Sequence, residues 1–356
     1  MYAYAPYVRE MNSWIKGVDK LLIVAPLSNS PKTAIEINYE HENIAFIAIE
    51  SFDVLSLKAM LLSIYKIPRI SGYIFSAMRK ADHIHLRCPG NIGLLGCIVQ
   101  IAFPSKIKTA KYAGNWDPKS KQPWTYRLQQ WILGNTFLTR NMKVLVYGEW
   151  EGSSNNIKPF FTATYTEADK LPFSKRNFKG GFHFVFVGTL VRGKNPLYAL
   201  QLIEALRQKG FDVALTLYGE GIERATLEDY ILEHHLEKIV FFKGNQSKEE
   251  VQKGYEESHF VILPSESEGW PKAVAEGMFW GCVPIATAVS CVPFMLDEGN
   301  RGVLLTMNLE EDLQQIEAVI ENSADFVAKS KKASDWSRQY TMDVFEEEVK
   351  RLLVRK

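Results

Sequence analysis

Short apolar runs alternate with helix-period segments through the C-terminal half of this chain. The runs lie at 183–188, 213–219, 239–244, 260–265, 283–287 and 302–306. Amphipathic stretches such as 196–209 and 248–258 separate most of them. Short apolar strands that alternate with helices predict a parallel, doubly wound α/β sheet. Ligands of such sheets bind beyond the carboxyl ends of the strands. Gly188, Gly219, Gly244 and Ser265 stand at those ends.

The N-terminal half shows the same alternation in looser form. Strands are expected at 21–27, 83–88, 109–114 and 143–147, and helices at 7–16, 54–65, 90–103 and 124–138. Residues 1–6 are too few to pair in a sheet centre and end in Pro6, so the first sheet is expected to lack its usual first strand. The polar, aperiodic stretch 162–179 reads as a linker. Residues 343–356 form an amphipathic helix with Phe345, Val349 and Leu352 on one side. The expected division is 1–165, 166–335 and a terminal helical element at 336–356.

Length agrees with this division, because 356 residues exceed one ordinary core. Hydrophobic residues make up 46% and charged residues 23%, the profile of a soluble globular chain. A formal net charge of +1 gives no bulk argument for nucleic acid. Cys88, Cys97, Cys282 and Cys291 form no CxxC pair and lie in or beside apolar runs, which favours buried free thiols over a metal or disulfide site. No run reaches the roughly 18 apolar residues of a membrane span, and no signal-peptide pattern opens the chain. A cytoplasmic location is expected.

Chemistry concentrates at 264–277, Pro-Ser-Glu-Ser-Glu-Gly-Trp-Pro-Lys-Ala-Val-Ala-Glu-Gly. A strand ends at Pro264-Ser265, and a helix begins near Pro271, where a missing N–H costs nothing. The backbone N–H groups of a helix start are a ready anion site. Glu268 precedes that helix and Glu276 lies more than a turn inside it. Taken alone, Glu268 reads equally as a capping carboxylate and Glu276 as a solvated helix residue.

Pro-Ser-x-x-Glu-Gly, a second glutamate eight positions on, and then Gly281-Cys282-Val283-Pro284-Ile285-Ala286-Thr287 resemble the signature of retaining glycosyltransferases of family 4. The resemblance is strong over 183–306 and fair elsewhere. It implies the GT-B fold, with two Rossmann-like domains facing a cleft, a nucleotide-sugar donor on the second and an acceptor on the first. It implies that Glu268 holds hydroxyls of the transferred sugar and Glu276 those of the ribose. It places backbone N–H groups of Gly269, Trp270, Lys272 and Ala273 toward the diphosphate or sugar. Gly188-Thr189-Leu190-Val191-Arg192-Gly193-Lys194 resembles the family's phosphate loop. Lys194 falls on the family lysine, Thr189 replaces the usual arginine, and Arg192 stands as a substitute. The segment 242–244, with Lys243, resembles the part that reads the nucleobase, or is simply a sheet edge.

The chain has no DxD, so no metal and no cofactor are expected; Lys194 and Arg192 must meet the leaving-group charge. The family's acceptor-side histidine is absent. Asn115 or Asp117 takes that role, or Asp117 is a turn residue before Pro118. His83 and His85 share one strand face and read as site residues or as hydrogen-bonded core. The run 105–127 carries Lys106, Lys108, Lys111, Lys119, Lys121 and Arg127 against the single acid Asp117, with Tyr112, Trp116, Trp124 and Tyr126 between them. It suits an anionic membrane surface on the inner face of the cell membrane, or is a solvated face; nucleic acid is not the expected partner. The resemblance also implies a glycan or lipid-linked acceptor in surface-polysaccharide synthesis. A nucleotide-sugar-binding scaffold and a non-hydrolysing epimerase are the alternatives.

Overall fold

A computed structural model of the chain describes residues 1–28, 30–33, 36–52, 65–174, 176, 178 and 180–353. It divides into one unit of residues 1–162 with 343–356 and a second of residues 163–342. The second unit therefore begins inside the expected linker. The return to the first unit starts at Asp343, seven residues later than expected.

The second unit is built on six parallel strands, β9 (Phe182–Val187), β10 (Val213–Tyr218), β11 (Val240–Gly244), β12 (Phe260–Leu263), β13 (Val283–Thr287) and β14 (Val303–Leu305). Their order is β11-β10-β9-β12-β13-β14. The chain runs outward from β9 through β10 to β11, then returns to the other side of β9. The switch point lies between β9 and β12, where loops leave in opposite directions and open a crevice. Phe260, Val261, Ile262 and Leu263 are all buried, as a strand covered on both faces requires. Helices α5 (Pro196–Gln208), α6 (Arg224–Glu233), α7 (Lys248–Glu257), α8 (Lys272–Phe279), α9 (Val292–Leu296), α10 (Leu309–Glu321) and α11 (Ser323–Ser337) supply the cover.

The first unit has a parallel sheet of β5 (His83–Cys88), β6 (Ile107–Tyr112), β7 (Met142–Tyr147) and β8 (Ile157–Phe160) in that order. A separate parallel pair joins β2 (Leu21–Pro26) to β4 (Ile44–Ile49). Among the described residues β2 pairs only with β4, and β5 only with β6. The apolar β2, Leu-Leu-Ile-Val-Ala-Pro, has no fully buried residue. Val24, Ile47 and Ile49 still pack into the core formed by Ile84, Leu86, Ala110 and Val144.

A short strand does stand at the start of the chain, but outside the parallel sheets of this unit. Tyr2–Tyr4 forms β1, antiparallel to β3 (Glu36–Asn38) and paired on that one side. Helix α1 (Ala5–Ile15) follows at once, with a proline in its first turn. The expected helix at 54–65 falls on 53–64, outside the described residues, except for its last member. The sequence reading passed over α2 (Lys66–Lys80), which buries Ile70, Ile74, Ala77 and Met78. Helices α3 (Asn91–Val99) and α4 (Trp124–Gly134) occupy the next expected positions, and α12 (Met342–Leu353) buries Phe345 and Val349.

Candidate functional site

The loops after β9 and β12 meet at the switch point. The Glu266 N–H donates to the Gly193 carbonyl at 2.9 Å, and Lys194 Nζ pairs with Glu268 Oε1 at 2.5 Å. Lys194 reaches that position through a tight 3-10 turn, Arg192–Lys194, closed by Asn195 in the left-handed region with φ 50°. Proline then opens α5. Glu268 is buried, and the Lys194 side chain is 30% exposed. Arg192 is exposed and forms no ion pair among the described residues. Two cations therefore stand at one strand end, only one of them engaged.

The strand ends are drawn together by backbone contacts. The Gly188 N–H donates to the Tyr218 carbonyl at 2.9 Å, and the Gly219 N–H to the Gly244 carbonyl at 2.8 Å. A Cβ on Gly219 would stand 1.9 Å from the Gly188 oxygen, and one on Gly221 would stand 2.2 Å from the Leu190 oxygen. Side chains are excluded there by the neighbouring backbone. Lys243 is exposed at the end of the edge strand β11, and its carbonyl accepts from Gln246 Nε2 at 2.5 Å.

Helix α8 is satisfied unequally at its two ends. Its last four carbonyls, those of Glu276, Gly277, Met278 and Phe279, accept from Trp280, Cys282, Gly281 and Arg338 respectively. No side chain caps its start, where Pro271 is the N-cap. The positive end of the helix thus lies four residues beyond Glu268. The Gly269 carbonyl accepts from Cys291 Sγ at 3.0 Å, which fixes the turn before the helix. The Trp270 ring is buried among Trp336 and Tyr340, with centroids 6.0 and 5.5 Å away; that indole serves packing. Ser265 Oγ is buried with no partner among the described residues.

Glu276 belongs to a different network from Glu268. Its Oε1 accepts from Thr164 Oγ1 at 2.6 Å and its Oε2 from Tyr255 Oη at 3.1 Å. Burial pushes its carboxyl above the usual range, against the opposing pull of Thr164, Lys272, Tyr255 and Lys248. Lys248 Nζ donates to the Thr164 carbonyl at 3.1 Å. Sequence reasoning missed Thr164, Tyr255 and Lys248. Nothing in a linear motif marks them; the only signal is that a buried carboxylate needs donors.

In the first unit, Asn115 and Asp117 lie in the loop after β6. Asn115 Oδ1 accepts from the Asp117 N–H at 2.8 Å, and Asp117 Oδ1 from the Lys119 N–H at 2.8 Å. Each spends a side-chain oxygen on a local turn. His83 Nε2 and His85 Nδ1 both meet Thr109 Oγ1, at 2.8 and 2.9 Å, and Trp14 lies 4.2 Å from the His85 ring centre. Burial holds both rings neutral, His83 down to about 4 and His85 to about 3.

The basic run beginning at Lys106 is not the expected charged surface. Lys108 and Lys111 are buried, as are Tyr112 and Trp116. Lys106 donates to the Arg79 and Ala81 carbonyls, and Lys108 to those of Gln100 and Phe103. Lys111 Nζ pairs with Glu10 Oε1 at 2.9 Å and donates to the Phe161 carbonyl at 2.9 Å. Arg87 also pairs with Glu10, at 2.5 Å. Burial opposes ionisation of Glu10, yet Lys111 and Arg87 outweigh it and hold the carboxyl down at about 2. Strand β6 is covered on both faces, so Lys108 and Lys111, which point to opposite faces, are both held inside.

Residues 167–339 match the family model for glycosyl transferases group 1. The chain is 30% identical over 138 residues to the uncharacterized glycosyltransferase MJ1178 of Methanocaldococcus jannaschii, covering 38% of each chain. It is 27% identical over 140 residues to the amylovoran biosynthesis glycosyltransferase AmsK of Erwinia amylovora, covering 38% of this chain and 34% of that protein. The chain thus spans less than half the length of these curated relatives. Among solved structures, Anabaena HepE in complex with UDP and glucose superposes with a TM-score of 0.69 at 13% identity, over 98% of this chain and 95% of that one. The fold is GT-B.

Proposed function

We propose, from the match of residues 167–339 to the family model for glycosyl transferases group 1, that the protein moves a sugar from a nucleotide-diphosphate donor to a glycan or lipid-linked acceptor. The proposed reaction retains the anomeric configuration and needs no metal. The carrying observation is the Lys194–Glu268 pair at the switch point, beside the uncapped start of α8. Lys194 and Arg192 meet the diphosphate, with the helix end adding its dipole. Glu268, vacated by Lys194, accepts from hydroxyls of the transferred sugar. Each Glu276 oxygen keeps a second lone pair for the ribose hydroxyls. The end of β11 at Lys243 lines the base.

In this reaction the bond from the anomeric carbon to the diphosphate oxygen breaks. A bond to the acceptor oxygen forms on the same face, and the acceptor proton passes to the leaving phosphate. Anabaena HepE was solved with UDP and glucose, which makes UDP-sugars the first donors to try. AmsK's assignment to amylovoran biosynthesis supports a place in polysaccharide synthesis.

Thermal-shift measurements with UDP-, GDP- and ADP-sugars test the donor site. A donor at 100 times its dissociation constant adds about 2.7 kcal/mol of stability. One series is expected to raise the melting temperature, Lys194→Ala to abolish the rise, and sugar release to survive EDTA. No shift with any donor, or a strict requirement for Mn²⁺, overturns the reading. A shift without transfer to any acceptor points instead to a binding scaffold.

A further inference from the structure

With Lys108 and Lys111 turned inward, the exposed aromatic and basic residues that remain of this run lie on and beside the next helix. On α4, Trp124, Arg127 and Trp131 fall at i, i+3 and i+7, one exposed stripe of the helix, while Leu128 beside them packs partly against the core. The opposite side is buried through Thr125, Gln129, Ile132 and Leu133. Trp124 is 56% exposed and Trp131 is 61% exposed, although tryptophan is highly buried on average. Just beyond the helix, Phe137 is 70% exposed, with the Arg140 guanidinium 4.7 Å from its ring centre. Lys119 and Lys121 are exposed just before it. None of Lys119, Lys121, Arg127 and Arg140 forms an ion pair among the described residues. From residue 83 to residue 148, Asp117 is the only acidic residue.

We propose that this face of α4, with Phe137, docks on the surface of an anionic lipid bilayer. The charge pattern selects the occupant. Exposed tryptophans suit the headgroup boundary, where an amphipathic ring is wet at one end and dry at the other. A helix with an aromatic stripe flanked by basic residues lies in that plane. The near absence of acids removes repulsion from anionic headgroups. Single-stranded nucleic acid is held in grooves with stacking platforms, whereas this stripe is the outer side of a helix. No helix among the described residues is long and apolar enough to cross a membrane, so attachment here is by the surface. The proposal is independent of the donor site.

Co-sedimentation of the full chain with phosphatidylcholine vesicles, with and without phosphatidylglycerol, tests it. Binding is expected to the anionic vesicles at low salt and to weaken as salt rises. Trp124→Ala with Trp131→Ala is expected to lower partitioning roughly tenfold or more. Neutralising Lys121 and Arg127 is expected to lower it roughly fivefold per charge. Circular dichroism should show both variants folded, because the residues are exposed, and Lys238→Glu in the second unit should bind as wild type. No binding to anionic vesicles at low salt overturns the proposal, as does binding that ignores the tryptophan changes. It is also overturned if the tryptophan variants instead dissociate an oligomer, or lose binding to oligo(dT) that the vesicles never matched.

Discussion

Among the described residues, Glu10 and Glu268 are each buried and paired with a lysine, and the two pairs differ. At Glu10 the cation is sealed: the Lys111 side chain is 0% exposed, and its ammonium lies 5.1–5.2 Å from the ring centres of Tyr147, Phe160 and Phe345. Arg87 and the Phe161 carbonyl complete the enclosure. At Glu268 the carboxylate is buried but Lys194 is partly exposed, beside Arg192, which has no ion pair among the described residues. The first pair cannot exchange partners without opening the unit. The second can, on one condition. When Lys194 leaves, Glu268 is stranded unless new hydrogen-bond donors arrive. A ligand that brings only an anion satisfies half of this exchange; one that brings phosphate oxygens and sugar hydroxyls satisfies all of it.

The largest expected effect is on the exchangeable pair. Lys194→Ala should lower turnover by about 10²–10³-fold, the range for losing one preorganised charge donor. Its melting temperature should stay near wild type. A large stability loss with normal turnover would reverse the roles of the two pairs. The sealed pair gives the mirror image: Lys111→Ala should cost about 3 kcal/mol of stability by leaving Glu10 buried and underpaired. Denaturant unfolding checks this, and a near-neutral result would mean that Arg87 alone suffices.

Acid sharpens the same contrast. The His83, His85 and Glu10 groups all have depressed values in the folded chain, about 4, 3 and 2. The unfolded chain therefore binds protons first. Stability should be full above about pH 6.5, fall as the histidines titrate in the unfolded chain, and fall further below about pH 4.5 as Glu10 joins them. The total is on the order of a few kcal/mol. Melting curves from pH 7 to pH 4 check the first step, and Glu10→Gln should flatten the lower one. The smallest effect belongs to the Glu276 network. Thr164→Val and Tyr255→Phe should each raise the donor KM about fivefold, the value of one hydrogen bond, with little change in kcat. A fall in kcat alone would place Glu276 at the reacting sugar instead.

Sequence reasoning went furthest where one signal had one meaning. The strands of the second unit are short, mostly apolar runs set between helix-period segments, so they stand within one or two residues of their expected places. Lys194 and Glu268 were both legible, but not their contact, which depends on two loops 74 residues apart. Charge misled at Lys108 and Lys111, because a basic run reads as surface unless the burial of both strand faces is known. The strand β4, Ile-Ala-Phe-Ile-Ala-Ile, carries the same kind of apolar run and was passed over. The pair β1–β3 was missed because three-residue strands carry no periodicity. Thr164 and Tyr255 could be found only once Glu276 was seen to be buried.

The contact between the glycine turns also sets what a protein engineer can alter. A saturation library at Gly219 or Gly221 should return glycine alone, since any side chain collides with the Gly188 or Leu190 backbone. At Gly193, one residue from Lys194, an added Cβ meets nothing within 4 Å. Diversity placed at that single position can therefore reshape the proposed donor site without disturbing the strands beneath it.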